Sequence, residues 1–177
     1  MGDEWGSDPR AVSAALVQQS GYFTAQVCLT GHTITDAVQQ SPERIEKFCS
    51  QCGAETIIAC PACETPIRGY YETGTFGSLR EYEPPKYCYS CGTSFPWTKA
   101  KIEAAKEHAS DLDHLSEDEK VQLQGAIDDI AAGGARTDLA VSRFKRLMKK
   151  AGQAVGSGLY KVAIDVASDA AKKGLLS

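Results

Sequence analysis

The chain has 177 residues, 42% of them hydrophobic and 24% charged, with a formal charge of −4. That mixture suits one ordinary domain or two small ones and excludes a disordered chain. No apolar run nears the roughly 20 residues of a membrane helix, and Met1-Gly2-Asp3-Glu4-Trp5 lacks the basic and apolar regions of a secretory leader, so a cytoplasmic protein is expected.

Composition changes sharply near residue 97. Residues 1–98 carry a net charge of −5, residues 99–134 another −5, and residues 135–177 carry +6. Cys91 is the last cysteine, and all seven prolines precede Trp97. The expected organisation is an extension over 1–21, a cysteine-rich domain over 22–97 and a helical domain over 98–177. The fold class is small α+β: two zinc ribbons of short hairpins and knuckles, then an all-α region.

Seven cysteines are too many to be incidental, and an odd number cannot close as disulfides. They fall as Cys28, Cys49-x2-Cys52, Cys60-x2-Cys63 and Cys88-x2-Cys91, with His32 four residues after Cys28. Together these are eight donors, enough for two four-coordinate sites. Two residues between paired cysteines form a tight turn that aims both sulfurs at one point, as tetrahedral zinc requires. Gly53 and Gly92 follow second cysteines, where positive φ lets backbone N–H groups turn toward sulfur. Cys60-Pro61-Ala62-Cys63-Glu64 lacks that glycine, so its knuckle is expected to be less ideal. Disulfides lack an oxidising context. Iron–sulfur ligation lacks its dense cysteine spacing. The expected cofactor is therefore two Zn²⁺ per chain.

Sequential pairing gives Cys28, His32, Cys49 and Cys52 at one site, and Cys60, Cys63, Cys88 and Cys91 at the other. A cross-braced arrangement is the alternative, and loop closure favours the sequential one only mildly. Were His32 not a ligand, the first site would keep an open position of the catalytic type. With all eight donors engaged, both sites are closed and structural. Metal binding would then supply much of the folding free energy of a region too small for a large core. Two zincs on seven thiolates would bring the chain to about −7, which disfavours non-specific nucleic-acid binding.

Eight of the 14 aromatics lie in residues 70–97. Tyr87, Phe95 and Trp97 are expected in a small core over the metal. Arg68, Tyr70 and Tyr71, before a turn at Gly74 and Gly77, are the expected contact residues, since aromatics with arginine mark binding hot spots. Stacking on single-stranded nucleic acid would have only Arg68, Arg80 and Lys86 for charge.

The C-terminal region reads as helices. Thr98 is a candidate cap for a helix from Lys99, with Ile102, Ala105, Ala109 and Leu112 on one face. Ser116 and Glu119 form a capping box for a second helix that ends at Gly133-Gly134. From Thr137 an apolar stripe runs through Phe144, Met148, Ala151, Val155, Leu159, Val162, Val166 and Ala170. Gly152, Gly156 and Gly158 predict either a break in it or close approach of another helix. Intramolecular packing is the plain reading of the stripe, and self-association or docking on a partner helix the sharper one. Arg143, Lys145, Arg146, Lys149 and Lys150 form the chain's one anionic-ligand candidate, though such a cluster is usually a solvated helix face. His108 and His114 read as solvated helix residues.

Cys-Leu-Thr-Gly-His-Thr-Ile-Thr at 28–35, Phe48-Cys-Ser-Gln-Cys-Gly53, Cys60-Pro-Ala-Cys63 with Ile67-Arg-Gly69, and Pro84-Pro-Lys-Tyr-Cys-Tyr-Ser-Cys-Gly92 with Phe95-Pro-Trp-Thr98 together resemble an uncharacterised bacterial family of paired zinc ribbons. The likeness continues through Leu115-Ser-Glu-Asp-Glu-Lys120, Asp128-Asp129-Ile130, Arg136-Thr137-Asp-Leu-Ala140 and Arg143-Phe-Lys145, about residues 22–170 in all. It implies a cytoplasmic zinc-ribbon protein with a helical C-terminus, and implies no activity. The function expected is a non-enzymatic interaction protein with an unidentified protein partner. A nucleic-acid module using the 136–150 cluster is the alternative. A zinc hydrolase is weaker, because HExxH, nucleophile-elbow and phosphate-loop motifs are missing.

Overall fold

The computed structural model describes residues 21–72 and 82–176. The extension before Gly21, together with Gly74, Phe76, Gly77 and Arg80, lies outside them. The chain divides into two units, Met1–Trp97 and Thr98–Ser177.

The first unit is built from very short strands. β1 (Tyr22–Thr24) pairs antiparallel with β5 (Arg68–Tyr71), with Tyr22 opposite Tyr71. β2 (Gln26–Cys28) is the centre of a second sheet, flanked by β3 (Thr33–Thr35) and β4 (Thr56–Ile57). Every residue of β2 is buried. Ile67 links the two sheets: its carbonyl accepts from Ala25 N–H, between β1 and β2, and its own N–H donates to Ile58 O, next to β4, each at 2.9 Å. Gly69 lies against the chain at Asp36, and a Cβ there would stand 1.9 Å from the Asp36 carbonyl oxygen that accepts Tyr70 N–H. Strands of two to four residues are below the usual five or six and cannot hold a sheet unaided.

The core of this unit is correspondingly small. Ala25, Val27, Ile67, Phe95 and Trp97 are buried with the thiols of Cys60 and Cys88. Phe95 and Trp97 stack with ring centroids 4.7 Å apart, and Trp97 Nε1 donates to Pro85 O at 3.0 Å. Tyr87 departs from expectation. It is 37% exposed, while its neighbour Cys88 is the residue that turns inward.

Five helices follow among the described residues: α1 (Pro96–Ser110), α2 (Glu117–Ala132), α3 (Thr137–Ala151), α4 (Gln153–Val166) and α5 (Asp169–Leu176). α1 starts at Pro96 rather than Lys99, since proline is suited to the first helical turn and lacks an N–H to satisfy. The capping box on α2 is complete: Ser116 Oγ accepts from Glu119 N, and the Glu119 carboxylate accepts from Ser116 N at 2.9 Å. Gly133, in the left-handed region at φ 67°, ends that helix. Thr137 is the first residue of α3, and its hydroxyl donates back to Gly134 O at 2.7 Å.

α3 packs against α2, α4 and α5. The long stripe divides at Gly152, where φ is 95°, and again at Ala167. Close approach is not seen at Gly158, where a Cβ would sit 3.6 Å from the His108 ring, an ordinary contact. Phe144, Met148, Ala151, Leu159 and Val166 are buried, so most of the stripe is spent inside this unit. Val162 is half-buried, and the Val155 side chain lies outside the described set. After the second break the helical phase resets. Ala170 is exposed, while Ala171 and Leu175 turn inward. No helix among the described residues is long and apolar enough to cross a membrane.

Candidate metal centres

Three C-x2-C knuckles share one backbone design. The first cysteine donates its N–H to the carbonyl five residues on: Cys49 to Ala54, Cys60 to Thr65 and Cys88 to Thr93, at 2.8–2.9 Å. The residue after the second cysteine donates back to the first: Gly53 to Cys49, Glu64 to Cys60 and Gly92 to Cys88. Phe48–Glu55, Ala59–Pro66 and Tyr87–Ser94 close the three hairpins. The returning residue takes left-handed φ each time, 72° at Gly53, 71° at Gly92 and 59° at Glu64. Glu64 is the one described non-glycine residue with positive φ, so the Cys60–Cys63 knuckle adopts the shared geometry at a conformational cost.

The remaining pair sits on the β2–β3 turn. Gly31 donates to Cys28 O at 2.9 Å, and His32 N–H points at Cys28 Sγ at 3.1 Å. Gln26, 4% exposed, fixes the Cys49–Cys52 knuckle beside it. Its side chain donates to Glu46 O and Thr56 Oγ1, each at 2.8 Å, and accepts from Glu46 N at 3.1 Å.

These elements gather the eight donors into two groups, and the pairing is sequential. Cys28, His32, Cys49 and Cys52 form one, and Cys60, Cys63, Cys88 and Cys91 the other, with all donor atoms of a group within 4.8 Å of one another. Metal–sulfur bonds of about 2.3 Å put the corners of a regular tetrahedron about 3.8 Å apart. The sulfur separations are 3.9 Å for Cys28–Cys52, 3.8 Å for Cys60–Cys91 and 3.6 Å for Cys63–Cys88. His32 Nδ1 lies 3.7 Å from Cys49 Sγ, against about 3.6 Å for a nitrogen and a sulfur on one zinc. The cysteines are unbridged. Each group therefore fits a four-coordinate cation with its own donors.

In each knuckle the first cysteine is buried and the second exposed. Burial pushes the Cys60 thiol up to about 11 and raises that of Cys49. Hydrogen bonds from the Thr30 hydroxyl and the Ala54 N–H bring Cys52 down to about 6. Those from Thr93 bring Cys91 down to about 6, and those from Thr65 lower Cys63. Burial opposes ionisation of Cys28, but Thr30 and the His32 N–H outweigh it and its thiol is lowered. His32 is raised, by Cys52 first. The chemistry available is the neutralisation of clustered thiolates by a borderline-soft divalent ion.

The expected contact residues are less uniform. Arg68 is exposed, with its guanidinium 3.7 Å from the Tyr89 ring centre and 4.8 Å from that of Tyr22. Tyr71, 48% exposed, tilts on Tyr22 at 4.7 Å. Tyr70 does not join them. It is half-buried and stacks on Phe23. On α3, Arg146, Lys149 and Lys150 are exposed, whereas Arg143 and Lys145 are half-buried. Lys150 reaches the Glu119 carboxylate at 2.6 Å, so its charge is partly used inside the helical unit. Sequence reasoning missed Tyr22, Gln26 and the threonines. Thr30, Thr65 and Thr93 each stand two residues after a cysteine, a spacing legible in the chain.

Residues 21–175 match a family described as uncharacterized protein conserved in bacteria (DUF2321). Neither a curated protein nor a solved structure matches the chain.

Proposed function

The chain belongs to that bacterial family, and from its own geometry we propose that it is a non-enzymatic zinc-binding interaction protein of the cytoplasm. The observation that carries this is the pair of four-donor groups at tetrahedral spacing. The three-sulfur-one-nitrogen and four-sulfur donor sets suit Zn²⁺, which has no geometric preference of its own to satisfy. Four protein donors at each site leave no position for a substrate, which supports a structural role over a hydrolytic one. Zinc would hold together a unit whose strands and core are too small to do so.

The rigid surface so held presents Tyr22, Tyr71 and Tyr89 around Arg68, a composition suited to a protein partner. The helical unit would dock or self-associate through its outer surface, since its apolar stripe is largely buried. The nucleic-acid reading is favoured by one feature, the exposed Arg146 and Lys149 on α3. Zinc analysis of purified full-length protein tests the first half of the proposal. For the second half, Arg68→Ala with Tyr89→Ala should lose a partner that wild type captures while keeping both zincs. Retention of that partner would rule out this face, and salt-sensitive binding to single-stranded oligonucleotides would favour the alternative.

A further inference from the structure

In both groups the sulfurs open to solvent are accompanied by threonine hydroxyls. Thr30 Oγ1 lies 3.1 Å from exposed Cys52 Sγ, and Thr65 Oγ1 lies 3.3 Å from exposed Cys63 Sγ. Thr93 takes the corresponding place in its own knuckle, two residues after exposed Cys91. As a thiol, Cys63 Sγ–H donates to Thr65 Oγ1; as a coordinated thiolate the sulfur has only lone pairs to offer, and the hydroxyl would donate instead, as Thr30 Oγ1 can already do to Cys52 Sγ. Cys52 has Ala54 where the other two second cysteines have threonine, and a hydroxyl reaches it from across the site instead. Thr30 makes that reach. Its Oγ1 is also 3.0 Å from Cys28 Sγ and 3.4 Å from His32 Nδ1, so one hydroxyl touches three of the four donor atoms.

We propose that Thr30, Thr65 and Thr93 are outer-sphere positioning residues that keep each site's solvent-exposed thiolates on the metal, with Thr30 alone serving the Cys28–His32–Cys49–Cys52 site. The physical reason is competition. Water and protons reach an exposed thiolate most readily, and a fixed hydroxyl both satisfies a sulfur lone pair and holds the sulfur's direction. In the four-cysteine site this task is divided between two hydroxyls, whereas in the histidine-containing site it falls on one. The hydroxyl share of sulfur positioning there falls on a single side chain, beside the His32 N–H on Cys28 Sγ.

The inference rests on the zinc reading above, and the test separates the two. Full-length wild type, Thr30→Val and Thr30→Ser are loaded with zinc and titrated with a competing chelator. Co²⁺ loading then distinguishes the sites, since three-sulfur-one-nitrogen and four-sulfur donor sets differ in their visible bands. Valine keeps the branched shape and removes the hydroxyl; serine restores the hydroxyl. Thr30→Val should weaken the histidine-containing site by about 10- to 100-fold, leave the four-cysteine site unchanged, and be largely rescued by serine. Thr65→Val should show the reverse pattern, which keeps the inference testable if Thr30→Val does not fold. Unchanged affinity in both valine variants, serine as weak as valine, or equal weakening of both sites would overturn it. A wild type that fails to bind two zincs would instead overturn the zinc reading itself.

Discussion

Glu64 stands where the other two C-x2-C knuckles have glycine, and it holds φ at 59°. A side chain in that region costs roughly 1–2 kcal/mol, because Cβ crowds the following carbonyl. Glycine removes that strain but loses about 0.5–1 kcal/mol more conformational entropy on folding. The balance favours Glu64→Gly by about 0.5–1 kcal/mol. On the proposed zinc reading, folding and metal binding are coupled in so small a unit, so the gain should appear as roughly 2- to 5-fold tighter zinc at the four-cysteine site. Glu64→Ala is the necessary comparison, since it removes the exposed carboxylate and keeps the strain. Chelator competition on the three proteins gives the answer. Glycine should bind more tightly than alanine by that factor. Glycine equal to or weaker than alanine would refute the strain argument. The mirror change is Gly53→Ala. Nothing lies within 4 Å of the added Cβ, so any loss, about 1 kcal/mol, would come from backbone conformation alone.

Other changes reach the remaining parts of the architecture. Phe95→Ala, at 2% exposure in a seven-residue core, should cost about 3–5 kcal/mol and unfold the first unit, read by loss of ordered amide resonances from residues 21–72 and 82–97. Gly69→Ala should be as damaging despite adding one methyl, because the only place for it is occupied by the Asp36 carbonyl; rapid proteolysis within the first unit is the readout. Acid should weaken the helical unit through Glu119. The Lys150 ammonium and the Ser116 N–H hold its carboxyl below the usual range. Its contribution is therefore fully present above the unfolded value of about 4.3 and is lost as pH falls through the lowered folded value. Lys150→Met should flatten that part of the acid-unfolding curve followed by helical circular dichroism; an unchanged curve would show the pair to be inert.

Metal chemistry was the most legible feature of the chain because it depends on residue type at fixed spacing. Three repeats of C-x2-C and one C-x3-H dictate eight donors whatever the surrounding fold. The α2 start was legible for the same reason, since Ser116 and Glu119 satisfy one another locally. What failed was longer in range. The helical stripe ran on to Ala170 in sequence, but the backbone at Ala167–Ser168 is fastened to α2 by Ser168 N–H on Ile130 O at 3.1 Å, and the phase restarts there. Tyr22 could not be joined to Arg68 from sequence, because β1 and β5 are 40 or more residues apart and too short to show alternation. Pro96 as a helix start was hidden by its place in a Phe-Pro-Trp run that reads as a loop. Gln26 was passed over because polar residues in a strand are usually exposed, whereas this one completes the backbone hydrogen bonds of the segment beside it.

Metal content tests the two proposed zinc centres most directly. Elemental analysis of the purified full-length chain, with protein counted by amino-acid analysis, should give two zincs per chain, and one tightly held zinc in His32→Ala. Two zincs retained equally in His32→Ala would remove that residue from the site. One zinc or none in wild type, or another metal in its place, would contradict the reading of two closed zinc centres.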